Sequence, residues 1–198
     1  MNDISLFLSN LDFNLSIIES TAVILSIIYV VLATKQNIYC WTFAFISTTL
    51  YVYICYNAQL FAETGLQVFY LIMAVYGYLN WNNSNNKLGI NQFSISKHLL
   101  IILIGTICSF LAGYFFSTYT TSKMPIVDSF TTVFSIIATF MLTKKILGNW
   151  LYWIIIDFVS IYLYYSRELH LTSLLFFAYA IIAIFGYFAW LNKIEKNA

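Results

Sequence analysis

Seven apolar windows follow one another along this 198-residue chain, separated only by short polar breaks. Each is close to the roughly 20 residues that an α-helix needs to cross a ~30 Å hydrocarbon core. The windows predict spans at 15–33, 38–56, 62–81, 99–116, 124–142, 147–165 and 171–190. Little two-residue alternation runs through them, which argues for helices and against the alternating ten-residue strands of an outer-membrane barrel. The expected fold is therefore all-α, a polytopic bundle of seven transmembrane helices forming one membrane domain over 1–198. The first window is preceded by Asp3 and Asp12 and by no basic run, and no small-residue cleavage site follows it. It reads as a retained span, not a signal peptide.

Composition strengthens that picture. Hydrophobic residues make up 61% of the chain and charged ones 9%, against about 25% charged in ordinary soluble domains, and the mean hydropathy is +0.81. The lipid bilayer is the expected environment. A formal charge of +1 offers no basic field for a nucleic acid, so no nucleic-acid partner is expected. The lysines and arginines do set an orientation, because basic loops stay cytoplasmic. Lys123 and Arg167 fall on one side, whereas Lys35, Lys87, Lys97, Lys144, Lys145, Lys193 and Lys196 fall on the other. The N-terminus is thus expected outside and the C-terminus in the cytoplasm.

The chain also resembles itself. At an offset of 109 residues Glu19-Ser20 meets Asp128-Ser129, Thr34-Lys35 meets Thr143-Lys144, Tyr70 meets Tyr179, Gly77-Tyr78 meets Gly186-Tyr187 and Trp81 meets Trp190. Between these matches, Asn37 and Trp41 meet Asn149 and Trp153 if the second copy is displaced by three residues, to an offset of 112. Two three-helix repeats, 15–81 and 124–190, would then be joined by a linker helix at 99–116. An odd number of helices per copy requires that linker if the copies are to run parallel. Such a three-plus-one-plus-three bundle has a natural solute pathway between its halves.

Polar residues inside the spans mark the candidate site. Asp157 falls near the bilayer midplane, where a carboxylate costs about 2.5 to 3.5 kcal/mol on the mildest insertion scale. Asn149, Trp150, Trp153, Asp157, Ser160 and Tyr164 recur at helical spacing and share a face. Indoles beside a carboxyl group suit a planar or cationic solute; the structural alternative is an Asp tied to backbone or serine groups. In the third span Gln67 and Tyr70 lie deep enough to offer an amide and a hydroxyl, and Tyr179 is the copy of Tyr70. Asn37 and Trp41 are candidates as the counterparts of Asn149 and Trp153, although an Asn at a helix start also serves as an N-cap. Ala74, Gly77, Ala183 and Gly186 suit close helix packing, and Trp81 and Trp190 suit an interfacial aromatic belt. Glu19 and Asp128, near the outer helix ends, reach water or form an acidic rim.

Enzyme chemistry finds no foothold. His98 and His170 are expected on opposite sides of the membrane, so they cannot share a metal, and no nucleophile elbow, zinc motif or phosphate loop is present. No catalytic residue, metal site or cofactor is expected. Cys40, Cys55 and Cys108 lie in apolar spans and read as small core residues.

Several segments together resemble the PnuC-type vitamin transporters. These are Asn37 to Trp41, Leu66-Gln67-x-x-Tyr70, Tyr76-Gly77-Tyr78-Leu79-Asn80-Trp81 and Asn149-Trp150-x-x-Trp153. The resemblance covers nearly the whole chain. It implies a fold similar to the SWEET sugar carriers and uptake of nicotinamide riboside by facilitated diffusion across the bacterial inner membrane, with trapping by cytoplasmic phosphorylation. A homo-oligomer, with a trimer as the candidate, is the expected assembly. Gly148 replaces a Glu that often precedes the Asn-Trp pair, Tyr78 replaces a Trp, and Asp157 stands where nicotinamide riboside carriers often have Asn. Thiamine, another cationic heteroaromatic carried by related proteins, therefore stays open as substrate. A sugar carrier and a non-transporting membrane scaffold are the alternatives from other classes.

Overall fold

The computed structural model describes residues 2–82, 89–119 and 123–196, without the side chains of 2–16, 61, 62 and 171. Lys87 and most of the Asn-rich connection lie outside the described residues. Among those described, seven α-helices follow in order: α1 (Asn2–Thr34), α2 (Cys40–Asn57), α3 (Phe61–Asn82), α4 (Ile95–Tyr119), α5 (Pro125–Thr143), α6 (Asn149–Tyr165) and α7 (His170–Glu195). All seven expected spans are present as helices. The largest differences are at α1, which begins 13 residues before the first apolar window, and at α4 and α7, which run past theirs. Nothing in the added residues breaks a helix, since they hold neither Pro nor Gly.

Four helices are long and apolar enough to span a bilayer: α1 from Ile17, α4, α5, and α7 from Thr172. The others, α2, α3 and α6, are shorter or more polar. α6, with 17 residues, falls short by length, and these three helices carry most of the polar and indole residues singled out above.

The chain divides into two compact units, Met1–Leu79 and Asn80–Ala198. In the first, α1 packs on α2, with the buried Ser47 hydroxyl donating to the Ala22 carbonyl at 2.9 Å and Tyr29 lying 6.0 Å from the Trp41 ring. In the second, α4 lies along α5 through small residues. A Cβ on Gly105 would meet Phe134 at 2.9 Å, and one on Gly113 the Ile126 backbone at 2.8 Å. Lipid is as apolar as a leucine side chain, so close backbone approach and interhelical hydrogen bonds hold such helices together. The buried edge of α4 is Gly105, Ser109 and Gly113. Cys108 lies off that edge and is exposed, so the expectation of a core thiol fails there.

The second unit has its own core of Phe134, Ala138, Met141, Ile146, Tyr152 and Ile156. The segment before α4 is pinned to it: Asn91 N–H donates to Lys145 O at 2.9 Å, and Leu147 N–H donates to Asn91 O at 2.8 Å. His98 Nδ1 lies 3.2 Å from the Tyr152 hydroxyl, and a Cβ on Gly148 would come within 2.5 Å of its ring. Residue 148 is glycine because the imidazole fills the space.

The turns of the two units correspond at one offset throughout. Gln36, Gln59, Lys145 and Glu168 take positive φ of 56°, 59°, 50° and 62°, each the single left-handed residue that ends a helix. The hydrogen bonds follow suit: Asn37 N–H to Leu32 O matches Ile146 N–H to Met141 O, and Leu60 N–H to Cys55 O matches Leu169 N–H to Tyr164 O. Helices end at Thr34 and Thr143, and the next begin at Cys40 and Asn149. These pairs are all 109 apart, so the three-residue displacement is not present. Trp41 corresponds to Trp150, not Trp153, and Asn149 corresponds to Cys40. Neither Asn37 nor Asn149 caps a helix. Asn37 sits exposed in the turn, its Oδ1 accepting the Tyr39 N–H at 3.0 Å, while Asn149 Nδ2 donates to the Ile146 carbonyl at 2.7 Å.

Candidate substrate-binding site

α6 carries the candidate acid. Asp157 is the ninth of its 17 residues and is only 2% exposed. Positions seven apart on a helix lie nearly in line, so Trp150, Asp157 and Tyr164 form one row. Contacts fix what that row faces. The Trp150 ring lies so close to α7 that a Cβ on Gly186 would be 2.8 Å from three of its atoms, and it meets Trp190 edge-on at 5.5 Å and 88°. Fourteen residues on, Tyr164 stacks on Phe176 at 5.1 Å with 10° between planes. Asp157 lies midway between these aromatic pairs, level by register with the buried alanines Ala180 and Ala183. Tyr179 is half-buried on α7, its ring centre 6.0 Å from that of Phe176 and nearly perpendicular to it. Ser160, one turn beyond Asp157, is buried as well.

Two polar atoms near the start of this row are buried with no hydrogen-bond partner: the Trp150 indole Nε1 and Asn149 Oδ1. One is a donor and the other an acceptor. Buried polar atoms are rarely left in that state, so they are available to a solute or to water. Trp153 behaves differently. It is half-buried against the core of the second unit, so the face grouped by helical spacing divides into a Trp150–Asp157–Tyr164 row toward α7 and a Trp153 side toward that core.

The first unit repeats the scaffold without the acid. A Cβ on Gly77 would lie 2.5 Å from Trp41 ring atoms, as Gly186 does for Trp150. Seven residues beyond Trp41 stands Thr48, whose hydroxyl donates to Ala44 O at 2.7 Å within its own helix. Gln67 and Tyr70 are half-buried on α3, with Tyr70 5.7 Å from Phe69. The structure thus gathers Asn149, Trp150, Asp157 and Tyr179 on α6 and α7 of one unit, and Trp41, Gln67 and Tyr70 on α2 and α3 of the other.

Two sequence expectations change. Trp190 is fully buried, so it is no belt residue; its ring closes the floor under Trp150. Trp81 is half-buried and donates its indole N–H to Thr143 O at 3.1 Å, beside the Asn80 amide donating to the same oxygen at 2.7 Å. Asp128 does not offer an open acidic rim, because both of its oxygens accept from Arg167 Nη2 at 2.9 and 2.7 Å. Phe176 shares a helical stripe with Tyr179, Ala183, Gly186 and Trp190 in the sequence, as the apolar counterpart of Gln67, and it lines the α6–α7 row through its stack on Tyr164.

A buried acid in such a row is a candidate site for a small solute. The model of the nicotinamide mononucleotide transporter family matches residues 16–192. The chain belongs to that family. It is a family of membrane transporters and not of enzymes. The nicotinamide riboside transporter PnuC of Escherichia coli K12 is 26% identical over 93% of this chain and 89% of its own length. The riboflavin/roseoflavin transporter RibM of Streptomyces davaonensis is 22% identical over 88% of this chain and 84% of its own. The crystal structure of the vitamin B3 transporter PnuC shares the fold, with a TM-score of 0.74 over 98% of this chain and 88% of that one, at 22% identity. The protein is a multi-pass membrane transporter of a small molecule.

Proposed function

We propose that this transporter carries nicotinamide riboside into the bacterial cytoplasm across the inner membrane, by facilitated diffusion. The observation that carries the reading is Asp157, buried at mid-helix between the Trp150 and Tyr164 levels of one aromatic row. Nicotinamide riboside is a cationic pyridinium bearing a carboxamide and ribose hydroxyls. An indole face attracts and stacks such a ring, and a buried carboxyl group accepts from hydroxyl or amide donors. The unpartnered Trp150 N–H and Asn149 oxygen suit a solute that both donates and accepts. Tyr179 on α7 and Trp153 on α6 are further proposed binding residues of the second unit, and Asn37, Trp41, Gln67 and Tyr70 are proposed binding residues of the first. The relatives named for nicotinamide riboside support this substrate over thiamine, a sugar or a scaffold role.

The passive mechanism rests on the scarcity of ionisable groups in the spans. Asp157 is the acid at the middle of its apolar span; Glu63 and Asp128 lie in the first turns of α3 and α5, and Glu19, though central in the long α1, lies near the start of the first apolar window, which argues against a relay of acids across the membrane. The proposed architecture is two parallel three-helix repeats joined by α4, similar to the SWEET carriers, with the N-terminus outside and the molecule assembled as a homo-oligomer. The common 109-residue offset of turns and Trp–Gly contacts supports the repeat.

Purified protein in proteoliposomes should equilibrate labelled nicotinamide riboside without accumulating it. A titration against nicotinamide riboside, thiamine, riboflavin and a neutral sugar should show tightest binding to the first. Uphill accumulation that an uncoupler abolishes would overturn the passive mechanism, and preference for another solute would overturn the substrate.

A further inference from the structure

One end of the second unit concentrates positive charge over aromatic rings. Lys145 Nζ stands 4.7 Å above the Trp81 ring, Lys144 Nζ 5.8 Å from that of Phe140, and Lys97 Nζ 5.4 Å from that of Phe93. The three come from segments locked together by the Asn91 bridge to the α5–α6 turn and by the His98–Tyr152 contact. Trp81 lies 6.3 Å from Trp190, and Lys193 follows Trp190 by one turn of α7. Against these four lysines, the described residues of these helix ends hold a single acid, Glu195. Beside Lys97 the helix presents Ile95, 79% exposed, and Leu99, 62% exposed. Charge and bare apolar surface thus adjoin where the apolar spans end.

We infer that this corner of α4, the α5–α6 turn and α7 binds an anionic phospholipid, its phosphodiester headgroup held by Lys97, Lys144 and Lys145 with Lys193 alongside. An ammonium held over an aromatic ring sits at the boundary where headgroup phosphates lie, and its stem covers apolar surface. Basic side chains near an anionic membrane surface each contribute a roughly fivefold gain in affinity. A phospholipid uses both halves of the surface, because its acyl chains cover Ile95 and Leu99 while its phosphate meets the lysines. Free phosphate would use only the charges. The site is separate from the Asp157 row and does not depend on the transported solute.

Native mass spectrometry of the full chain in detergent tests this, with phosphatidylglycerol and phosphatidylcholine added in turn. The chain should retain phosphatidylglycerol in preference, and inorganic phosphate should not displace it. Neutralising Lys97, Lys144 and Lys145 to Gln should weaken retention by about fivefold per lysine, while Lys123→Gln, at the opposite end, should leave it unchanged. Lys97→Gln alone, on an exposed side chain, guards against a triple variant that does not fold, and added salt should reduce the preference in the unmodified chain. Equal retention of the two lipids, full displacement by phosphate, or unchanged retention in the Gln variants would overturn the assignment.

Discussion

Trp41 on Gly77 and Trp150 on Gly186 are the same device built twice. In each unit the second residue of a helix is a tryptophan laid flat on a glycine of the following helix, and each helix is entered through a turn with one left-handed residue. The units differ seven residues farther on. The first has Thr48, satisfied by its own helix, and the second has the buried Asp157, midway along α6 between the Trp150–Trp190 and Tyr164–Phe176 pairs. The Trp–Gly contact is shared, and this polar position is one of those that set the units apart. The second unit also carries the Arg167–Asp128 pair, where the first has Ala58 and Glu19 at the corresponding positions.

Removing the indole rings should have the largest effect. Trp41→Ala and Trp150→Ala should each destabilise the protein by about 3 to 5 kcal/mol, as truncation of buried tryptophans does, and comparable losses of melting temperature would show that the two scaffolds are equivalent. Trp150→Ala should also abolish solute binding in whatever protein remains folded, and Trp41→Ala should weaken it less. Adding one methyl group is milder. Gly77→Ala and Gly186→Ala press a Cβ into an indole held between helices, with no flexible end to give way, at a cost of about 1 to 3 kcal/mol. The pair should again match in thermal stability, whereas Gly186→Ala should weaken nicotinamide riboside binding more than Gly77→Ala. Smallest is Arg167→Gln, which removes a pair whose side chains are 26% and 32% exposed. Solvent screening leaves such pairs about 0.2 to 1 kcal/mol, so the melting temperature should fall slightly and affinity should not change.

Hydropathy made the seven helices legible, because a span must satisfy its own backbone and the ~20-residue ruler is strict. It also located Asp157, since an acid in an apolar run stands out by its cost alone. The pairing of Trp41 with Trp150 was harder to see. Identity of letters favoured the Asn-x-x-x-Trp match to Asn149 and Trp153, while the 109-residue spacing of the turns is carried by backbone features without a residue signature. Gln36, Gln59, Lys145 and Glu168 all take a conformation usually given to Gly, so no glycine marked the turns. The division between Trp150 and Trp153 was equally hidden: helical spacing puts both near one face, and only the packing of α5 and α7 on either side separates them. Trp190 read as an interfacial anchor because its place near a helix end says nothing about the neighbour that buries it.

Asp157 is proposed to bind the solute and not merely to brace α6. Affinity for nicotinamide riboside and melting temperature measured on the same purified Asp157→Asn protein test it most directly. The amide is nearly isosteric, so the account predicts an unchanged melting temperature with binding weakened roughly ten- to a hundredfold, the loss of about 1.5 to 3 kcal/mol of charge-assisted hydrogen bonding. A well-folded Asp157→Asn protein that binds with undiminished affinity would contradict it.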